Sequence, residues 1–307
     1  MRITAGMIVH NGEPFVGTAL RSIYDFVDEI IVVEGAVEKA MFAAHPDGSS
    51  TDGTVETLRG LPDPDSKITL LQGKWAKKLD QSQAWFDRAT GDYVWIIDSD
   101  EIYLPQDIIE IKRMLDDDRD ITVVSFYHRT FWHNLHTQLV GPPWEGNRDV
   151  IYERIFKRGP GYRYTKHRHP TVVDADGVSL VDKKLIRANE MRRRGIFIYH
   201  YSYVDADQVW RKIQYHRARG STNAATPGWY EKVYLAWLDD PAGIELKYGT
   251  FPNGSGGWTQ PYHGPHPPAM VEHPLMQKEK DYFRTMREHL HPWIVRDPDE
   301  APVLVQA

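Results

Sequence analysis

Tyr93-Val94-Trp95-Ile96-Ile97-Asp98-Ser99-Asp100-Glu101 (residues 93–101) runs five apolar residues straight into two carboxylates spaced i and i+2. An apolar run of that length, closed off by polar residues, is the pattern of a strand covered on both faces. Like charges held a few ångströms apart beside a core repel unless a cation compensates them. Carboxylate oxygens suit hard divalent ions such as Mg²⁺ or Mn²⁺, which keep coordination positions open for phosphate oxygens. In the plainer reading, Asp98 and Asp100 occupy an exposed turn and Asp100 or Glu101 helps cap a helix opening at Pro105. The apolar pentad favours the cation.

The flanking sequence repeats the theme. Residues 3–9 form an apolar run ended by His10-Asn11-Gly12; Glu13-Pro14 opens a helical pattern carrying Phe15, Ala19, Leu20, Ile23 and Phe26; and Ile30–Val33 form a second buried strand ending at Glu34-Gly35. This β–α–β order predicts parallel strands, with a ligand crevice at their carboxyl ends. A loop over 36–51, a short helix after Thr51-Asp52-Gly53-Thr54, a strand over 68–71 and a helix over 76–89 precede the acidic strand. A helix from Pro105 with Ile108, Ile109, Ile111 and Leu115 on its apolar stripe follows, then a strand over 121–127. Beyond it the sequence predicts a loop over 131–149, strands over 150–156 and 195–201, a helix over 206–219, and a polar helix over 274–291.

Composition narrows the function. The 307 residues carry 37 Lys and Arg against 43 Asp and Glu, a net charge of −6, which argues against nucleic-acid binding through a basic surface. With no cysteine, disulfides, thiolate catalysis and cysteine-based metal sites are excluded, leaving carboxylates, imidazoles and hydroxyls for any chemistry. The first apolar run is too short for a signal h-region, and no stretch approaches the ~18 apolar residues of a membrane span. The expectation is a cytoplasmic chain with no transmembrane segment.

Four blocks resemble a known family. Met7-Ile8-Val9-His10-Asn11-Gly12-Glu13, Ile31-Val32-Val33-Glu34 with Ser50-Thr51-Asp52-Gly53-Thr54, and Ala89 through Glu101 resemble, in order and spacing, the nucleotide-binding half of a GT-A glycosyltransferase of the family 2-like group. A weaker block runs from Arg154-Ile155-Phe156-Lys157 through His167-Arg168-His169 to Tyr199-His200-Tyr201. The resemblance implies an α/β, Rossmann-like fold with a mainly parallel mixed sheet flanked by helices. A GT-A domain over 1–215 would be followed by a C-terminal helical and loop extension, rich in aromatics and proline, over 216–307.

The implied activity is metal-dependent, inverting transfer of a sugar from a nucleoside-diphosphate donor to a hydroxyl of a glycan, lipid-linked or protein-linked acceptor. A UDP-sugar is the first expectation and a GDP-sugar the second, with Mn²⁺ or Mg²⁺ as cofactor. By analogy Asp98 lies near the ribose and the metal, Asp100 is the direct ligand, and His200 completes the metal or phosphate site. The donor would meet His10, Asn11, Glu13, Glu34, Asp52 and Lys77 or Lys78. Two of these have alternatives: the acid of the second strand is Glu34 by strand register or Asp47 by turn register, with Glu34 favoured, and Asp52 is equally a turn and N-cap residue.

The catalytic base is expected at Glu145 or Asp149, with His169 third. The helix before the acidic strand has Ser82-Gln83 where the family often has Arg-Asn, and the later block has His169-Pro170 where it often has His-Glu. Trp132, Trp144, Tyr162, Trp229 and Trp258 are candidates to stack on a sugar or to fill a core. Two other readings compete. A sugar-nucleotide pyrophosphorylase would need a Gly-rich basic loop after the first strand, and His10-Asn11-Gly12-Glu13 is not one. An inactive carbohydrate-binding homologue would keep the fold alone.

Overall fold

The computed structural model describes residues 1–142, 144, 151–218, 228–252 and 256–278. Strand β1 (Ile3–Val9) pairs in parallel with β2 (Glu29–Glu34) on one side and with β4 (Tyr93–Ile96) on the other. β3 (Ile68–Gln72) extends the parallel set beside β2 and forms its half-exposed edge. Beyond β4 the pairing turns antiparallel: β8 (Ile151–Lys157) joins β4 to β6 (Val123–Trp132), followed by β7 (Asn134–Val140) and β13 (Trp258–Pro261). The path is therefore β3-β2-β1-β4-β8-β6-β7-β13, with short β5 (Glu101–Ile102), β11 (Leu185–Ile186) and β12 (Ile198–Tyr203) attached.

The fully apolar strands predict helices on the sheet, and they are present. Helix α1 (Val16–Ile23) follows β1, α2 (Thr54–Gly60) precedes β3, and α3 (Lys78–Arg88) precedes β4. Helix α3 lays the Trp85 indole directly on β1, where a Cβ on Gly6 would lie 2.3 Å from the ring. Only glycine allows that approach. Trp85, Phe86, Ile31, Val33, Val94, Val123, Phe156 and Tyr164 form one buried cluster around it. Helix α4 (Pro105–Asp117) buries Ile108, Ile111 and Leu115 as expected, but Ile109 is 57% exposed, because one residue along a helix turns the side chain by about 100° away from that stripe.

The segment expected as a loop over 131–149 begins as strand. β6 continues to Trp132, His133 turns with φ 58°, and β7 returns antiparallel. Burial of Phe131, Trp132, Leu135, Leu139 and Val140 drives this hairpin, whose turn lacks the Gly-containing signature that marks most hairpins in sequence. Trp132, Trp144 and Trp229 lie in a second cluster with Val209, Ile213 and Tyr234, so these three indoles are core, whereas Trp258 stays 49% exposed. A further hairpin, β9 (Arg163–Lys166) with β10 (Thr171–Val173), and helices α5 (Ala188–Arg193), α6 (Ala206–Ala218) and α7 (Pro241–Tyr248) complete the described elements used below.

Residues 35–47 leave the end of β2 through Gly35, whose φ of 129° suits glycine, and form a 3-10 turn over Glu38–Ala43. Ala36, Val37 and Ala40 pack there against Trp75 and against Tyr215 of α6. Met1–Ala269 form one compact unit and Met270–Ala307 another; in the second, residues 274–278 are helical, and the rest of the polar helix expected to 291 lies outside the described residues. Among the described residues no helix is long and apolar enough to cross a membrane.

Candidate active site

The carboxyl ends of β1, β2 and β4 open side by side, as parallel pairing requires, and the acidic pair stands at the end of β4. Strand β12 pairs with β5 and β6 at once, setting His200 opposite both Glu101 and Thr130, and Tyr201 N–H donates to the Asp100 carbonyl at 2.9 Å. A residue one hundred positions away in sequence thereby reaches the acidic turn.

Glu101, fully buried, is the anchor. Arg154 from β8 donates through Nε to both its oxygens at 2.9 and 3.1 Å, and Tyr103 Oη donates to Oε2 at 3.2 Å. Nε2 of His128 lies 2.8 Å from Oε1. The same guanidinium reaches Asp98, Nη2 to Oδ2 at 2.7 Å. Burial alone would lower the pKa of Arg154, but Glu101 and Asp98 hold it well above its usual value, so the guanidinium is a permanent cation under the turn. Burial and then Arg154 push the pKa of His128 well down, which leaves its imidazole neutral. Asp98 keeps one carboxylate oxygen out of this contact, and its side chain is 45% exposed.

Asp100 is differently placed. Its Oδ2 accepts from Gln208 Nε2 at 3.2 Å and Lys212 Nζ at 3.5 Å, both from α6. Its Oδ1 faces His200 Nε2 at 3.7 Å, beyond hydrogen-bond range. Burial would raise the carboxyl pKa, but the Lys212 ammonium beside it, together with the Ser202 hydroxyl, more than offsets that and holds it below the usual carboxylate range. Burial, and then His128, lower the pKa of His200 to about 3, so its ring is neutral at physiological pH. With Nδ1 3.1 Å from Thr130 Oγ1, the tautomer that donates there turns the Nε2 lone pair toward Asp100.

Two donor atoms 3.7 Å apart can share one ion at bond lengths of about 2.1 Å, leaving its other positions to phosphate and water. Among the described residues no group of three or more His, Asp or Glu side chains is arranged to hold a metal. Asp100 and His200 are the residues that could hold a divalent ion, as two ligands that substrate oxygens would have to complete.

The other sequence-predicted donor residues lie around this mouth, several with their polar atoms engaged. Glu34 is fully buried and accepts from Ser50 N and Oγ at 2.8 Å each and from Gln72 Nε2 at 3.1 Å, tying the returning loop to β2. Asn11, with φ 54°, donates to the Ala43 carbonyl at 2.9 Å and accepts from Thr51 N at 2.8 Å. The carboxylate of Glu13 accepts from Thr57 Oγ1. Asp52 accepts from Glu13 N at 3.0 Å and from Thr54 N and Oγ1 at 3.1 and 2.6 Å, a turn arrangement at the start of α2.

His10 is the exception, since its Nε2 is buried with no hydrogen-bond partner among the described residues. Burial lowers the pKa of that imidazole, with Glu34 and Asp52 acting against it. Lys77 is exposed ahead of α3, and Lys78 Nζ sits 4.9 Å over the Tyr215 ring. Asp47 caps its own turn, accepting from Ser49 N and Oγ at 2.9 and 2.7 Å.

Glu145 and Asp149 lie outside the described residues. His169 is exposed between β9 and β10. Its neighbour His167 reaches α3 instead, with Nδ1 3.1 Å from Ser82 Oγ, and Gln83 Oε1 accepts from Tyr164 N at 2.9 Å. Ser82-Gln83 therefore fasten the β9–β10 hairpin to α3.

Sequence reasoning missed Arg154, Glu101, Gln208 and Lys212 as members of the site. Arg154 had a signal, a lone guanidinium beside Ile155-Phe156 on a central strand, which demands a buried acid. Gln208 and Lys212 had none, because only the tertiary fold returns α6 to the mouth.

The model of glycosyl transferase family 2 matches residues 45–169. No curated protein matches the chain. Solved structures similar to it include S. aureus TarS with UDP, 17% identical over 43% of this chain and 36% of that one with a TM-score of 0.33. The mannosyltransferase PcManGT from Pyrobaculum calidifontis with GDP-Man and Mn²⁺ is 18% identical over 75% of this chain and 67% of that one, at 0.43. Glucosyl-3-phosphoglycerate synthase from Mycobacterium tuberculosis with Mn²⁺, UDP and phosphoglyceric acid is 20% identical over 43% of each chain, at 0.31. The matches thus span well under two thirds of the UDP-bound TarS chain and of the synthase. The family match over residues 45–169 and the mixed, mainly parallel α/β sheet agree with the family 2-like GT-A glycosyltransferases that the sequence resembles.

Proposed function

We propose that the chain transfers a sugar from a nucleoside-diphosphate donor, a UDP-sugar first and a GDP-sugar second, to a hydroxyl-bearing acceptor such as a glycan. The observation that carries this reading is the pair Asp100 Oδ1 and His200 Nε2 at 3.7 Å, beside Asp98 with one carboxylate oxygen clear of Arg154. In the reaction the acceptor oxygen bonds to the anomeric carbon, the bond from that carbon to the diphosphate breaks, and the hydroxyl proton passes to a base. Attack on the face opposite the leaving group inverts the anomeric centre.

Mn²⁺ or Mg²⁺ seated by Asp100 and His200 would supply Lewis-acid stabilisation of the departing diphosphate. The chain's own residues set that seat: Thr130 orients the imidazole, and Gln208 holds Asp100. Arg154 offsets the charge of Asp98 and Glu101 from beneath, so the acidic turn can exist at the edge of the core. A contact of His10 with a polar atom of the nucleoside is part of this reading, supported by its Nε2, which has no hydrogen-bond partner among the described residues. Glu145 or Asp149 remains our proposal for the base, with His169 as the third candidate, and the domain division at 215 and 216 is likewise proposed.

The test is calorimetric titration of the chain with UDP, GDP, TDP and CDP in Mn²⁺ or Mg²⁺, together with a screen of UDP- and GDP-sugars for metal-dependent hydrolysis. At least one nucleotide should bind only with metal, and Asp100→Asn should remove that binding. Absence of binding by all four nucleotides with either ion would overturn the reading.

A further inference from the structure

Helix α6 presents Gln208, Arg211 and Lys212 to the crevice from one face. Gln208 and Lys212, one turn apart, share Asp100 Oδ2, while Arg211 Nη2 donates to the Glu13 carbonyl at 3.0 Å and lies 3.9 Å from Asp52 Oδ2. The lysine contact is the longest of the hydrogen bonds, at 3.5 Å, and its side chain is 31% exposed, with Nζ 5.4 Å over the Tyr203 ring. An ion held between Asp100 Oδ1 and His200 Nε2 would sit on the other oxygen of the same carboxylate, only a few ångströms from this ammonium.

We propose that Lys212 is a resident counter-cation of Asp100 that opposes a divalent ion arriving alone and passes to the diphosphate when nucleotide and ion arrive together. The inference rests on the metal seat proposed above. Two cations on one carboxylate repel, so the ion alone binds weakly. A diphosphate adds negative charge that pairs with both, and the long flexible lysine stem lets the ammonium exchange one oxyanion for another. Ion and nucleotide therefore bind cooperatively, and Lys212 is one source of the coupling. Lys212 positions the donor and serves as a gate against futile metal loading.

The experiment measures Mn²⁺ binding by electron paramagnetic resonance of the free ion, with and without UDP or GDP, for wild type, Lys212→Met, Lys212→Arg and Asp100→Asn. Methionine keeps the stem over Tyr203 and removes the charge. Lys212→Met should bind Mn²⁺ alone about fivefold more tightly than wild type, as expected for loss of one partly exposed charge contact, and should bind UDP or GDP with Mn²⁺ more weakly. Lys212→Arg should match wild type toward Mn²⁺ alone.

If Lys212→Met binds Mn²⁺ no more tightly while Asp100→Asn abolishes binding, the exchange is overturned and the metal seat stands. If Asp100→Asn binds Mn²⁺ like wild type, or no variant binds it at all, the seat itself is wrong and the exchange falls with it. Thermal unfolding of each variant separates these outcomes from misfolding.

Discussion

Asp98 lies 2.7 Å from the same Arg154 guanidinium that grips the fully buried Glu101, so one side chain from β8 pairs with two carboxylates of the turn after β4 and offsets one of their two charges. The turn's charge is thus partly offset from below by protein, and one carboxylate oxygen of Asp98 stays clear of the arginine.

Arg154→Met should accordingly cost about 3–5 kcal/mol of stability, the range for breaking a buried ion pair from one side, because Glu101 is left charged and dry. Urea unfolding checks it. Adding Glu101→Gln to that variant should recover part of the loss; an unchanged double variant would show that the damage is packing, not charge.

Asp98→Asn should behave in the opposite way. Arg154 retains Glu101, and the Asp98 side chain is 45% exposed, so the unfolding midpoint should stay near that of wild type while nucleotide binding in Mn²⁺ weakens. Calorimetry on the folded variant reads both.

Asp107, in the first turn of α4, is 9% exposed, and burial raises its carboxyl pKa to about 6 against smaller opposing effects of the Phe197 backbone and Arg129. A raised acid binds its proton more tightly in the native state, so this group's contribution to stability is lost as pH rises from about 4 through 6. Asp107→Asn removes that slope. Relative to wild type it should gain on the order of 3 kcal/mol at pH 8 and almost nothing at pH 4. Parallel stability curves would refute this.

Gly6→Ala should destabilise by about 1–3 kcal/mol through overpacking, since the new Cβ would meet the Trp85 ring at 2.3 Å. Trimming the ring with Trp85→Leu in the same chain should relieve part of it, as a double-mutant cycle would show.

The parallel half of the fold was legible because its signals are local. Apolar runs at 3–9, 30–33 and 93–97 need no knowledge of the rest of the chain to read as covered strands. The β6–β7 hairpin was not, since the turn at His133 lacks a Gly-containing signature and burial of Trp132 depends on Trp229 and Tyr234, about a hundred residues on. Within the site, Asp98 and Asp100 stood out by charge beside a strand, and His200 by resemblance. Glu34, Asn11, Glu13 and Asp52 were expected to contact a donor, and their polar groups also stitch the loops at the carboxyl ends of β1 and β2. A sequence shows that a carboxylate is present but not what it is already holding.

The 3-10 turn of residues 38–43 packs in one cluster with Trp75 and with Tyr215 of α6. It is a strut between the sheet and the helix that carries Lys212. Chimeras that swap the parallel-sheet half of this chain with another would therefore have to exchange the strut and α6 as a matched set, because either alone would arrive without its seat.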